Sequence, residues 1–235
     1  MRFRHRTESS AYRLVEMQWS QTLGLRSGSS PGAIVNAALF YADADPDKAM
    51  DLMARANRRS GQAPNYTLGR AYLDLARECI HHNPPISKKA ARAAMRLLQP
   101  RYGISSLARS LTRLSEIGET ALLAGQLALC EEVAEFILSR HHRAHDSGDW
   151  YHRGHLLLGL AALHAGETQR ALELLERSLD RTGPGVISSF GPSLTVLAEL
   201  RESGLNEARD RLEAVIRDKW PATVAATYLG AARSN

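Results

Sequence analysis

The sequence predicts an all-α protein: a right-handed α-solenoid of about five divergent helical hairpins, with one extra helix before them and a capping helix after them. Three observations predict this fold. Ala, Leu and Arg abound, aromatic side chains make up only 6% of the chain, and the sequence contains almost no run of β-branched residues of the kind that is typical of a strand. A short pattern of small and apolar residues recurs about every 40 positions. Short glycine-containing turns separate the helices that this pattern predicts.

The N-terminal 30 residues predict a basic segment with one helix and a Gly/Ser linker. Residues 9–25 favour the helix, because Tyr12, Val15 and Trp19 share one helical stripe. The linker around Ser30 fits the G-x-S-x-G motif of serine hydrolases. That motif needs a preceding strand to force the serine into a strained turn, and no strand is predicted here. We therefore expect no catalysis at Ser30.

The second helix of each predicted hairpin carries a three-residue stripe. A small residue is followed after four positions by a bulky or apolar residue, and after three more by a small or apolar one, so that all three lie on one helix face. The occurrences are Ala49-Met53-Ala56, Ala90-Ala94-Leu97, Cys130-Ala134-Ile137, Ala171-Leu175-Ser178 and Ala208-Leu212-Val215. Together they predict a repeat domain over residues 31–220.

The first helix of each predicted hairpin has its own signature, a residue pair followed by a small or aromatic residue. The occurrences are Asn36-Ala37-Phe40, Leu68-Gly69-Tyr72, Ile117-Gly118-Ala121, Leu158-Gly159-Ala162 and Val196-Leu197-Leu200. Glycine costs about 1 kcal/mol relative to alanine inside a helix. A glycine that recurs there predicts that another backbone approaches closely.

Start and stop signals mark several helix ends. Asp45 with Pro46 predicts an N-cap and a first helical residue, and Gly166 and Gly204 predict helix ends. The stretch "ECIHHNPPIS" predicts a ten-residue insertion between the helices of the second hairpin. Residues 221–235 predict the capping helix and tail, which begin at a proline.

These residues resemble the tetratricopeptide repeat, whose pattern is W-x2-L-G-x2-Y, then A-x3-F, then P. The unit from His155 to Gly183 matches best, with His155 at the position of the family's tryptophan. The spacing near 40, rather than the family's 34, predicts longer connections and an irregular superhelix. The resemblance implies a superhelix that binds a protein or peptide on its concave face.

The resemblance also implies which residues line that face, since the family contacts ligands through the first helices of its hairpins. The corresponding positions are Tyr66, Arg70, Asp74, Ser115, Glu119, Arg153, Leu156, Leu160, His164 and Arg201. The asparagines and lysines that clamp a terminal carboxylate in some members are missing, so the lining suits a peptide with apolar anchors and some negative charge. The alternative is that several of these leucines pack against adjacent repeats.

Five of the nine histidines fall within residues 141–155. His141 and His145 are four residues apart and His152 and His155 are three apart, spacings at which two imidazoles on one helix face can share a metal ion. Because Arg143 and Arg153 would repel a dication, we expect instead a polar joint between the third and fourth hairpins, with a pH-sensitive surface.

The charge balance leaves two classes of partner open. Lys and Arg number 30 against 25 Asp and Glu, which gives a net charge of +5 that is spread along the chain. The sequence favours a non-catalytic protein- or peptide-binding scaffold with regulatory or assembly functions. The alternatives are a nucleic-acid-associated regulatory module and a metal-dependent enzyme at the cluster from His141 to His155.

Other features predict an ordinary soluble setting. Cys79 and Cys130 cannot build a disulfide framework and are expected to pack as small apolar residues. No stretch reaches the length of a membrane span, and we expect a cytoplasmic protein without a cofactor, a metal or a membrane partner. Homo-oligomers through the terminal helices are a further expectation.

Overall fold

The computed structural model describes residues 10–24, 30–61, 65–80, 82–98, 103–107, 110–140, 147–179, 197, 200–201 and 204–219. Every regular element within these ranges is helical, which confirms the all-α prediction. The helices are α1 (Ser10–Gly24), α2 (Pro31–Tyr41), α3 (Pro46–Arg59), α4 (Tyr66–Cys79), α5 (Pro84–Leu98), α6 (Leu111–Ala124), α7 (Leu127–Arg140), α8 (Ser147–His164), α9 (Thr168–Ser178) and α10 (Asn206–Lys219), with a 3-10 turn at Ile104–Leu107. Among the described helices, none is long and apolar enough to cross a membrane.

The chain divides into two compact units. The first comprises residues 1–101 and 123–125, and the second comprises residues 102–122 and 126–235. Helices that follow each other in sequence pack together in both units: α2 on α3 and α4 on α5 in the first, α7 on α8 and α8 on α9 in the second. The division falls within the stretch that the repeat pattern predicts as one domain.

Helix α1 belongs to the first unit and packs on α2. The Tyr12 ring is 5% exposed and stacks on Phe40, with ring centroids 5.0 Å apart. Trp19 is half-buried, but Val15 is 36% exposed. The helix is confirmed, and within the predicted stripe Val15 is exposed to solvent.

The recurring stripe of the second helices is the buried seam of both units. Of its fifteen positions, all are buried except Leu97 and Val215, which are half-buried. The next residues along the chain, Leu98 and Ile216, are buried instead. The stripe was therefore predicted correctly, with a shift of one residue at the ends of α5 and α10.

The recurring glycines of the first helices lie where another helix approaches closely. A Cβ atom would lie 2.8 Å from the nearest leucine carbon at Gly69, 2.6 Å at Gly118 and 2.7 Å at Gly159. These leucines belong to α5, α8 and α9, so the space that a side chain would need is already filled. The close approach is confirmed, but the nearest neighbour is in each case a leucine side chain rather than a backbone.

Side-chain caps and glycine turns set several helix ends. The side-chain oxygens of Ser30, Asp45 and Asn65 accept hydrogen bonds from the backbone N–H three residues later, at 3.2, 3.0 and 3.1 Å. The Asp45 cap is confirmed, and Ser30 of the G-x-S-x-G match caps α2. Gly166 and Gly204 adopt φ of +80° and +71°, left-handed values that end a helix as predicted.

The connection between α4 and α5 is shorter than the sequence predicts. Helix α4 ends at Cys79 and α5 begins at Pro84, so only four residues join them. The predicted ten-residue insertion is wrong, because most of it lies in the two helices. The hydroxyl of Ser87, near the start of α5, donates to the carbonyl oxygen of Ala76 at 2.8 Å and ties the two helix ends together.

Candidate functional site

In the first unit, three of the predicted groove residues form one stripe of α4. Tyr66, Arg70 and Asp74 follow each other at intervals of four residues, and Arg70 is exposed while the other two are half-buried. Oδ1 of Asp74 accepts a hydrogen bond from Arg77 at 2.9 Å, one turn further along the helix. The stripe therefore offers an aromatic ring, a cation and a carboxylate that already has a partner.

In the second unit, Ser115 and Glu119 lie one turn apart on α6, and both are half-buried. The hydroxyl oxygen of Ser115 is buried, and no hydrogen-bond partner for it is found among the described residues. The neighbouring Thr120 is fully buried, and its hydroxyl donates to the carbonyl oxygen of Glu116 at 2.5 Å. This part of α6 is thus more enclosed than an open binding groove requires.

Helix α8 presents its predicted residues unequally. Arg153 and His164 are exposed, whereas Leu156 and Leu160 are each only 6% exposed. The two leucines pack inside the second unit, which is the alternative that the sequence left open. Arg201 is half-buried in the same unit. The structure therefore brings the residues of α6 and α8 into one unit and leaves those of α4 in the other.

The histidine cluster is represented in the structure by His152 and His155, while His141, His142 and His145 lie outside the described residues. His152 is 2% exposed, and its Nδ1 lies 2.9 Å from the carbonyl oxygen of Ser178 at the end of α9. Because a carbonyl only accepts, Nδ1 carries the proton and donates it. His152 thus donates a hydrogen bond to one of the carbonyl groups that a helix end leaves without an intrahelical partner.

His155 is placed differently from His152, although the resemblance to the tetratricopeptide pattern aligns it with the tryptophan of that pattern. It is half-buried, and its Nδ1 donates to the carbonyl oxygen of Tyr151 at 3.0 Å, one turn back in the same helix. The two rings lie 4.2 Å apart between centroids. Within the described ranges, no group of three or more His, Cys, Asp or Glu residues is placed to hold a metal ion.

Burial decides how His152 titrates. Loss of solvation lowers the pKa of its imidazole to about 4, against an opposing contribution from the hydrogen bond to Ser178. Among the charged neighbours, Arg153 lowers this pKa further and Asp149 raises it. The ring is therefore neutral at physiological pH, and it joins α8 to α9 within the predicted fourth hairpin.

Both cysteines are buried, as the sequence predicts. The thiol of Cys79 lies 3.6 Å from the carbonyl oxygen of Ala42, and that of Cys130 lies 3.7 Å from the carbonyl oxygen of Leu157. Burial raises the pKa of Cys79 to about 11 and that of Cys130 to about 12. Both thiols are thus protonated and act as small packing groups with a weak hydrogen bond.

One exposed feature was not predicted from the sequence. Helix α5 carries Lys88, Lys89, Arg92 and Arg96 on its exposed side and contains no Asp or Glu. The sequence signal was present in the spacing of these cations within one helix. The charge balance of the whole chain does not reveal it, because the basic residues are spread along the rest of the sequence.

No family model, curated protein or solved structure matches this chain.

Proposed function

We propose that this protein is a non-catalytic scaffold that binds a protein or peptide, built from tetratricopeptide-like helical hairpins. The observation that carries the proposal is a contact repeated in both units. Gly69 of α4 packs under Leu98 of α5, and Gly159 of α8 packs under Leu175 of α9. Each of these glycines packs under a leucine of the second helix in its own hairpin, although the two leucines hold different positions relative to the stripe, whereas Gly118 of α6 packs under Leu157 of α8. Close helix packing at the recurring glycine is expected for a repeat protein.

Helical repeats of this kind usually work by binding, because stacked hairpins present an extended surface. The first helices α4 and α8 keep exposed polar side chains beside their buried seams, Arg70 on α4 and Arg153 and His164 on α8. These positions correspond to the ligand-contacting ones of the tetratricopeptide repeat. They support a binding surface on the first helices.

The exposed side chains also favour a particular partner. Since Leu156 and Leu160 are buried, the apolar anchoring that the sequence suggested is not offered by those two residues. On α4 of the first unit the accessible groups are the guanidinium group of Arg70 and the half-buried ring of Tyr66, and on α8 of the second unit the guanidinium group of Arg153 is accessible. We therefore propose a partner segment with acidic residues and at least one apolar side chain that packs on Tyr66.

Selection from a displayed library of random 12-residue peptides on the immobilised full chain tests this function. We expect enrichment of peptides with Asp or Glu beside an apolar residue. Binding of each selected peptide is measured by fluorescence anisotropy. It should weaken by about tenfold or more in R70E for a peptide that binds α4, or in R153E for a peptide that binds α8, since a reversed charge removes a charge-assisted hydrogen bond and adds repulsion.

The matched control is R13E, which reverses an exposed cation of α1 outside the proposed surface. Its affinity for the selected peptide should stay close to that of the wild type. A library that yields no enriched peptide, or peptides that bind R70E and R153E as tightly as the wild type, would refute the proposal. A crystal structure showing successive hairpins stacked with a constant right-handed rotation would test the solenoid separately.

A further inference from the structure

Helix α5 of the first unit carries a dense cationic surface. Lys88, Lys89, Arg92 and Arg96 are all exposed, and their positions fall within about 100° of the helix circumference and about 12 Å of its length. No acidic residue lies anywhere in the helix. These four residues are called the α5 basic face below.

The cations of this face are not neutralised by the protein. In the part of the chain that the structure describes, none of the four forms an ion pair. Exposed cations elsewhere do have partners, such as Arg170 with Glu167 and Arg217 with Glu213. The α5 basic face therefore keeps its full positive potential toward solvent.

The surrounding sequence strengthens that potential. Between residues 52 and 98 there are nine Lys or Arg residues against only Asp74 and Glu78. Two of these cations act on Tyr72: burial raises the pKa of its phenol, while Arg96 of α5 and Arg58 of α3 both lower it. Arg58 therefore adds to the positive charge around Tyr72.

The composition of the exposed surface indicates what it can bind. Apart from the four cations, the exposed residues of α5 are Pro84 and Pro85. Protein interfaces depend on aromatic and large apolar anchors at their centre, whereas nucleic-acid interfaces are rich in positive charge and polar. A surface of cations without an apolar anchor fits a phosphate backbone better than it fits a protein.

The same surface distinguishes between forms of nucleic acid. Binding of single strands depends on aromatic side chains on which bases stack. Helix α5 contains no aromatic residue, and Tyr72, which is influenced by Arg96, is only 3% exposed. A helix can enter the wide major groove of B-form DNA but not the deep, narrow one of A-form RNA. We propose that the α5 basic face binds the phosphate backbone of duplex DNA, as a second binding surface beside the one on the first helices.

The expected affinity of the α5 basic face for duplex DNA depends steeply on the salt concentration. Each phosphate that is neutralised contributes roughly −0.9 to the slope of log affinity against log salt concentration. Four contacts predict a slope of about −3.6, and a loss of affinity of about 150-fold between 50 and 200 mM salt. Because phosphate contacts carry no base information, the affinity should vary little with DNA sequence.

The test is fluorescence anisotropy of the full chain with a labelled 20-base-pair DNA duplex at several salt concentrations. R92Q/R96Q should lower the affinity by about 60-fold at 100 mM salt and reduce the slope by about 2. R92K/R96K keeps both charges and should bind within about threefold of the wild type, because a phosphate contact needs mainly the charge. Circular dichroism at 222 nm checks that each variant keeps its helices.

The matched control is R13Q/R177Q, which removes the same number of exposed charges from α1 and α9 and should leave the affinity and the slope unchanged. The proposal is overturned if no duplex DNA binds at 50 mM salt, or if the control loses as much affinity as R92Q/R96Q. Tighter binding of a duplex RNA of the same length would assign the surface to RNA. Binding of polyglutamate without binding of DNA would assign it to an acidic protein.

Discussion

Acidification to pH 5 is expected to destabilise the second unit through one residue, His152. The imidazole is neutral in the folded protein because burial lowers its pKa to about 4, whereas an unfolded chain has the ordinary value of 6.5. Below pH 6.5 the unfolded state therefore takes up a proton that the folded state refuses. The contribution to stability is complete above pH 6.5 and is lost as the pH falls toward 4.

The size of the effect follows from the two pKa values. Linkage predicts that the free energy of unfolding falls by about 2 kcal/mol between pH 7 and pH 5, and by about 3 kcal/mol at pH 4. The comparison at pH 5 is the cleaner one, because most carboxylates keep their charge there. A change of 2 kcal/mol is a large share of the stability of a single domain.

Urea unfolding at the two pH values measures this difference. A W19F/W220F background leaves Trp150 as the only tryptophan, so that fluorescence reports on the second unit. The variant H152N keeps an N–H donor for the Ser178 carbonyl but does not titrate. It should be less stable than the wild type at pH 7, since it loses ring atoms, and its stability should change by less than about 0.5 kcal/mol down to pH 5.

The control H82N replaces an exposed histidine of the first unit and should keep the pH dependence of the wild type in the second unit. Two results would refute the reasoning. One is an equal pH dependence in H152N and in the wild type. The other is a wild-type stability that does not change between pH 7 and pH 5.

Three further predictions concern packing, capping and the thiols. Replacing Gly159 with Ala should destabilise the second unit by about 1–3 kcal/mol in urea unfolding, because the added Cβ would lie 2.7 Å from a leucine of α9. Replacing Gly32 with Ala is the control and should not destabilise the protein, because Gly32 has open space around it. Removing the cap with D45A should cost about 1 kcal/mol, while D51A on the exposed side of the same helix should cost much less; equal losses would contradict the capping role. Burial raises the pKa of the two thiols to about 11 and about 12, so a thiol reagent at pH 8 should label them only after unfolding, and rapid labelling of the native protein would contradict the packing.

The helices and their buried seams could be predicted because they are set by local patterns. Steps of four and three residues place Ala49, Met53 and Ala56 on one face, and the structure buries all three. Cap residues such as Asp45 act within one turn, so they are also readable from sequence. By contrast, Val15 shows the limit of a single stripe: which side of α1 meets α2 is decided by tertiary contacts.

The candidate sites were harder to predict, since exposure depends on neighbours that are distant in sequence. Helical spacing places Leu156 and Arg153 on the same part of α8, but only the folded unit shows that the leucine is buried and the arginine exposed. The partner of His152, Ser178, lies 26 residues away, and no local pattern indicates it. The α5 basic face was visible in the sequence but became a surface only when α4 had covered the other side of the helix.

Two glycines of α8 fix the rotation of that helix about its own axis, one against α7 and the other against α9. Gly154 fits against Leu138 of α7, and Gly159, five residues later, fits against Leu175 of α9. Inserting or deleting one residue between them would rotate the second contact by about 100° relative to the first. Helix α8 can therefore tolerate substitutions at exposed positions such as Arg153, but a change of length between its two glycines would separate it from one of its neighbours.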